Sequence, residues 1–422
     1  MVQTMEILPG VVLRYMQDSR FKQAALSVQL LRTMTAEEAG VNALIPAVLL
    51  RGCRDYPDLQ RITEKLDDLY GAAVGTLVRR IGDYQTLGFY CSFMEDRFAM
   101  QGDAVLEPMM EFVGQLLLEP VMEEDGFCKE YVESEKRNLI SVIESERSDK
   151  RSYAAGRLLK IMCKEDSFGV PRLGEIEQIG KITASSAYAH YQTILRECPI
   201  ELFYVGSASL ERVAQLLRSR LEGLQRMPVA LPPQTAFADT EGREETETQQ
   251  IAQAKLCMGF VTPITNEDPR IAAMQVLNSI FGSGMTSKLF MQVREKMSLC
   301  YAIGSGYYGS KGILTVNAGI DSHQQAKVRE AILEQLEACR QGQITHEELQ
   351  AAKESSLSGL RAVYDSPGAM EAFFSTVAIS GLTRTPQSHA AQIEAVQLED
   401  VVEAAKTLRF HSAFLLKGEE HA

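Results

Sequence analysis

Apolar and polar residues alternate one by one in eight short stretches of the chain, the two-residue period of a half-buried strand. In the first half the alternation predicts strands over 24–32, 72–80, 84–93 and 200–206. In the second half it predicts strands over 255–262, 301–308, 312–320 and 409–418. Between them apolar residues recur every three or four positions, the helical period. This predicts helices over 38–51, 58–69, 98–118, 123–147, 149–163, 183–195 and 209–222, then over 267–281, 286–298, 323–341, 346–362, 366–380 and 387–395.

The order of elements repeats. Each half runs strand, two helices, two hairpin-like strands, several helices and a closing strand. At an offset of 230 residues Leu26 falls on Leu256, Leu59 on Leu289 and Leu69 on Leu299. The pattern predicts a duplicated α+β unit, each copy a mostly antiparallel sheet with helices packed on one face. The stretch 227–253 holds the adjacent Pro232 and Pro233 and a polar, acidic run. It reads as a linker between a domain over 1–226 and a domain over 254–422.

Charge and composition narrow the function. The 422 residues carry 43 Lys and Arg against 56 Asp and Glu, a net charge of −13. Such a surface repels phosphate backbones, which argues against nucleic-acid binding. No uncharged apolar run reaches the ~18–20 residues of a membrane span, so no membrane association is expected. The N-terminal stretch lacks a basic start followed by a long apolar run, which points to a cytoplasmic protein. The eight cysteines are scattered, with no CxxC, and read as reduced, buried thiols.

Histidine gives the sharpest exclusion. The six are His190, His323, His346, His389, His411 and His421, and none precedes residue 190. No two lie close enough for HExxH or HxxEH, so no helix presents a pair of imidazoles to a metal. No GxSxG occurs either, which speaks against a stand-alone hydrolase built on another nucleophile.

The stretch from Gly40 to Gly52 reads Gly-Val-Asn-Ala-Leu-Ile-Pro-Ala-Val-Leu-Leu-Arg-Gly. Its glycines and apolar frame resemble the motif helix of the M16 family, the insulinase and mitochondrial-processing-peptidase group of zinc peptidases. The resemblance extends over almost the whole chain and implies two homologous domains of the order read above. In active members the helix reads approximately G-V-A-H-F-L-E-H-M-L-F-K-G. By that resemblance the two zinc-binding histidines are here Ala43 and Ala47, and the general-base glutamate is Pro46. Methyl groups offer no lone pair to a cation, and a proline ring accepts no proton. This predicts no metal bound in this chain. The family's third ligand, a glutamate on a later helix, corresponds to Glu133 or Glu135 in EYVESEK, with Glu135 the better match. The residues alone suggest a solvated acidic face pairing with Lys136 and Arg137.

The second half keeps more of the pattern. FGSGMTSKLFMQVREKMSLCYAIGS, 281–305, resembles the family's C-terminal signature of a small-residue turn, a helix, an Arg and a Tyr. That makes Arg294 and Tyr301 candidate catalytic contacts. In active relatives the corresponding pair donates hydrogen bonds to the substrate backbone and the developing oxyanion, a task suited to a guanidinium and a phenol. Ser283, Gly284 and Thr286 are expected to form the turn and cap of the helix that follows.

The resemblance implies a non-catalytic subunit of a heterodimeric zinc peptidase. An HxxEH-bearing homologue would carry the zinc, and this chain would add Arg294, Tyr301 and part of the chamber wall. A peptide or protein substrate would add as a strand along 72–80, an edge that Arg79 and Arg80 otherwise protect. A homodimer is the alternative assembly. The run 148–183 further resembles bacterial members without the zinc motif that are associated with modification of elongation factor P. The alternative function is therefore an inert scaffold, or an accessory protein for such maturation.

Overall fold

In a computed structural model of the chain, residues 2–238 and 240–419 are described; His421 lies outside them. They form two compact units, each assembled from separated segments. The first comprises Met1–Glu144, Val170–Pro233 and Tyr364–Gly381. The second comprises Ser145–Gly169, Gln234–Val363 and Leu382–Ala422.

The first unit is built on a six-stranded sheet. In spatial order its strands are Gln3–Leu8, Val11–Gln17, Ile200–Gly206, Gln23–Thr33, Tyr84–Met94 and Ala73–Ile81. All neighbours are antiparallel except Val11–Gln17 against Ile200–Gly206. The two N-terminal strands were not among the predicted elements. They form a hairpin turned at Gly10, whose φ of +68° suits a residue without Cβ.

Alternation along Gln23–Thr33 sorts its side chains between two faces. Leu26, Val28 and Leu30 join Leu87, Phe89, Cys91 and Phe93 in the main core. That core is closed by helices Ala39–Leu49, Leu106–Leu118 and Ala184–Glu197. The opposite face carries Ser27, Gln29 and Leu31, and helix Pro367–Ile379 covers it. Ser366 accepts from the Ala369 amide and Pro367 fills the first turn, which defines where this helix starts. Phe374 stacks on Phe203 at 6.4 Å, and Ile379 packs with Leu31, Ile81 and Tyr84.

The second unit holds a five-stranded sheet in the order Cys300–Tyr308, Ile313–Ile320, Ala254–Val261, Arg409–Lys417 and Glu244–Thr248. The last pair is parallel and the others antiparallel. Glu244–Thr248 falls within the stretch that the sequence presents as a linker. Its glutamates disfavour a strand by propensity. Here Glu244 pairs with Arg329, and Glu245 and Glu247 with Arg157, so partners brought in by the fold offset that preference.

Cys257, Val261, Phe414 and Leu416 form one apolar face of this sheet. Helix Lys150–Met162 lies over it through Ala154, Leu158, Ile161 and Met162. A Cβ at Gly259 would stand 2.1 Å from the Met162 Sδ, so the close approach requires glycine.

Helix boundaries shift where side chains cap them. Asp96 accepts from the amides of Val105 and Leu106, so the predicted 98–118 helix begins only at Leu106. The predicted 267–281 helix is α-helical from Ile271 to Asn278 and then π-helical. Helix Leu398–Thr407 was not predicted. All eight cysteines are buried free thiols. Among the described residues no helix is long and apolar enough to cross a membrane.

Candidate functional site

Helix Ala39–Leu49 carries the positions singled out in the first unit. Pro46 lies inside it and removes the amide that the Asn42 carbonyl would otherwise accept from. The helix nonetheless closes: the Leu50 amide donates to the Pro46 carbonyl at 3.1 Å and the Arg51 amide to the Val48 carbonyl at 3.1 Å. Ala43 and Pro46 are buried and Ala47 is half-buried. Ala43 and Ala47, four apart, share one stripe of the helix, and Arg51 lies beyond its last residue, in the turn that follows. Two methyls and a proline ring supply no ligand atom, so this stripe does not fit zinc. Among the described residues no group of three or more His, Cys, Asp or Glu side chains converges as a cation site.

Glu135 sits on helix Lys129–Ser148 and is 9% exposed, not solvated as the acidic sequence suggested. Arg51 Nη1 stands 3.4 Å from its Oε1, and Asn138 Nδ2 donates to its Oε2 at 3.1 Å. The guanidinium lies over the Tyr131 ring, 5.2 Å from the centroid. The expected partner Lys136 is also buried. It pairs with Glu133 at 2.9 Å and donates to the carbonyls of Gly180 and Ile182. A lysine that caps backbone carbonyls inside the fold is drawn away from Glu135.

A buried polar chain beneath the same helix has no signature in the sequence. Gln85 Nε2 donates to the carbonyls of Ala39 and Arg172. Its Oε1 therefore accepts from Asn42 Nδ2 at 2.9 Å. Asn42 Oδ1 in turn stands 2.8 Å from His190 Nε2, which assigns the ring proton to Nε2. Burial holds the His190 pKa below the ordinary histidine value, Glu38 pulling it up and Arg32 pushing it down.

In the second unit Arg294 and Tyr301 lie on adjoining, mutually packed elements. The path to them is unusual. After Asn278 the chain is π-helical over Ser279–Ser283 and again over Leu289–Lys296. Ser298 has φ +52°, uncommon for a residue with a Cβ. The register of Cys300–Tyr308 against Ile313–Ile320 then shifts between Cys300 and Ala302, leaving Tyr301 as the extra residue of a bulge. Ser287, rather than Ser283 or Thr286, accepts from the Phe290 amide. Arg294 lies 4.6 Å from the Phe290 ring centroid and 3.5 Å from the Glu295 carboxylate. Tyr301 is 67% exposed. Burial pushes the Cys300 thiol up to about 11, against the opposing pull of Arg294. Arg294 and Tyr301 are thus a cation and a phenol presented at the surface by irregular backbone.

Comparison with known proteins gives this arrangement a setting. Residues 181–356 match the peptidase M16 inactive domain. A protein of Bacillus subtilis named probable inactive metalloprotease YmfF is 28% identical over 413 residues, 98% of this chain and 97% of the relative. The uncharacterized zinc protease YmxG of the same organism is 31% identical over 166 residues, 39% of this chain and 40% of the relative. The crystal structure of a conserved protein from Enterococcus faecalis superposes with a TM-score of 0.92 at 27% identity, covering 100% of this chain and 99% of that one. An M16 inactive-domain structure from Pseudomonas fluorescens shares the fold, with a TM-score of 0.83 at 18% identity over 100% of this chain and 99% of its own. The two repeated units and the matched domain define an M16-type peptidase fold. Over residues 181–356 the chain matches the M16 inactive domain, and over nearly its whole length it is similar to a probable inactive metalloprotease.

Proposed function

We propose that this chain is the non-catalytic subunit of a two-subunit M16-type peptidase working in the cytoplasm. The partner, an HxxEH-bearing homologue, carries the zinc; this chain binds none. Arg294 and Tyr301 act in trans on a peptide or protein substrate. The guanidinium and phenol donate hydrogen bonds to the substrate carbonyl and to the oxyanion that forms on it.

The observation that carries this reading is the concentration of irregular backbone between Ser279 and Tyr301. Two π-helical stretches, a left-handed serine and a bulge occur in one segment, and its products are an accessible Arg294 and Tyr301. Such features cost stability and persist where function needs them.

Co-purification with an HxxEH homologue, followed by a peptidase assay of the complex, tests the reading. Arg294→Ala and Tyr301→Phe should each lower kcat of the complex by about 10²–10³, the scale of losing an oxyanion donor. Unchanged activity in both variants sinks it.

The full-length likeness to a probable inactive metalloprotease favours a second reading. In that case the chain is an inert scaffold, as a homodimer or in a larger assembly, or an accessory in protein maturation such as elongation factor P modification. A complex that assembles yet cuts no member of a peptide library supports it.

A further inference from the structure

We propose that a cleft of about 690 Å³ in the second unit docks a basic amphipathic helix of a partner protein. The helix would insert one bulky apolar side chain, flanked by lysines or arginines one turn apart. The inference does not draw on the roles given to Arg294 and Tyr301.

The cleft opens where the sheet's outer strand stops short. Glu244–Thr248 pairs with Arg409–Lys417 only from Ala413 onward. Arg409 and Phe410 therefore have no strand on that side, and helix Gln325–Arg340 forms the facing wall. The volume falls in the range of ligand pockets, ~300–1,000 Å³.

The base of the cleft is apolar. Phe260 and Leu336 are fully buried beneath it. Phe410 is half-buried, and its ring meets that of Phe260 edge-on at 5.8 Å between centroids. On the wall, Leu333 is 36% exposed. A solitary exposed leucine is ordinary. Beside a half-buried phenylalanine and over a cavity, it completes a seat for an apolar side chain.

The wall also supplies charge. Glu330 and Glu334 line the cleft one turn apart. The cations around them are taken. Arg329 pairs with Glu244 at 2.6 Å and lies over the Phe410 ring, 4.8 Å from its centroid. Arg340 pairs with Glu337 at 3.2 Å, and Arg409 is engaged within the fold. Among the described residues Glu330 and Glu334 have no ion pair.

Glu330, Leu333 and Glu334 occupy positions i, i+3 and i+4 of one helix face. A second helix laid alongside matches them with the same pattern and the charge reversed: cations at i and i+4, an apolar side chain at i+3. The net charge of −13 draws such a segment toward the chain.

Fluorescence anisotropy of a labelled synthetic helix, with one leucine face and one lysine face, measures binding to the full chain at physiological ionic strength. E330Q/E334Q and L333N should each raise Kd at least about 3-fold. E267Q/E354Q removes the same charge from exposed positions outside the cleft and should leave Kd unchanged. The same peptide with glutamate in place of lysine should bind the natural chain at least about 10-fold more weakly, a comparison that needs no variant to fold. The proposal is overturned by absence of binding, by an unchanged Kd in either cleft variant, by an equal loss in E267Q/E354Q, or by equal binding of the glutamate peptide.

Discussion

Arg79 and Glu371, 292 residues apart in the chain, meet as a two-pronged ion pair: Arg79 Nη1 lies 3.1 Å from Glu371 Oε1 and Nη2 lies 2.9 Å from Oε2. Glu371 is fully buried, and Gln29 and Ser375 also donate to its Oε1. The pair ties helix Pro367–Ile379 to the edge strand Ala73–Ile81. On the sheet face beneath, the Gln29 amide donates to this carboxylate, so a leucine at 371 would take that acceptor from Gln29 and from Arg79.

Breaking that pair should loosen the first unit. Glu371→Ala leaves a guanidinium and an amide facing a void, and a loss of about 3 kcal/mol is expected, in the range for unpairing a buried charge. Urea unfolding of E371A, R79M and the double variant measures it. The double variant should lose less than the two singles combined. A cost below about 0.5 kcal/mol for E371A would mean that the apolar face of the helix alone holds it.

Pro46→Ala should stabilise the chain slightly. A proline inside a helix costs about 3 kcal/mol. Against this stand two ring methylenes, ~0.8 kcal/mol each when buried, and the ~0.4–1 kcal/mol by which proline stiffens the unfolded chain. The balance is a gain of about 0.4–1 kcal/mol, read as a raised urea midpoint. A marked loss would show that the proline ring is needed for packing.

The stability of the first unit should depend on His190. Its folded pKa lies below the unfolded value of about 6.5, because burial disfavours the imidazolium. The neutral ring therefore contributes fully above about pH 6.5, and the contribution is lost as pH falls through the folded value. Glu38 and Arg32, the charges acting on the ring, oppose each other. His190→Gln keeps an N–H for Asn42 and removes the titration. Between about pH 7 and pH 5 the natural chain should lose more stability than H190Q; equal losses would contradict this.

Arg294→Ala and Tyr301→Phe should leave stability within about 0.5 kcal/mol of the natural chain, as for surface positions. The Tyr301 ring is exposed, and Arg294 has its ion pair with the adjacent Glu295. Thermal unfolding of the isolated variants checks this. It also separates a catalytic effect in a complex from a folding defect, since a fall in midpoint of many degrees would attribute lost activity to structure.

Much of this was legible in the chain because it is local. Alternation marked the central strands Gln23–Thr33 and Ala254–Val261, since a strand buried on both sides still sorts its residues by parity. The absent metal donors were equally plain, because a methyl cannot ligate whatever surrounds it. Less legible were the first two strands and Glu244–Thr248. Their pairing depends on Ile200–Gly206 and Arg409–Lys417, far away in sequence, and three glutamates conceal the last of them.

The sequence by itself determined that two similar α+β halves exist, that the motif helix carries no metal ligand, and that Arg294 and Tyr301 stand next to a small-residue turn. Each of these follows from side chains within a few turns of one another. Tertiary structure alone decided which helix covers which sheet, that Glu135 answers to Arg51 rather than to Lys136, and that a bulge exposes Tyr301. Those outcomes depend on burial, and burial is a property of contacts between distant segments. A carboxylate is an exposed charge or a paired core group according to what the fold brings against it.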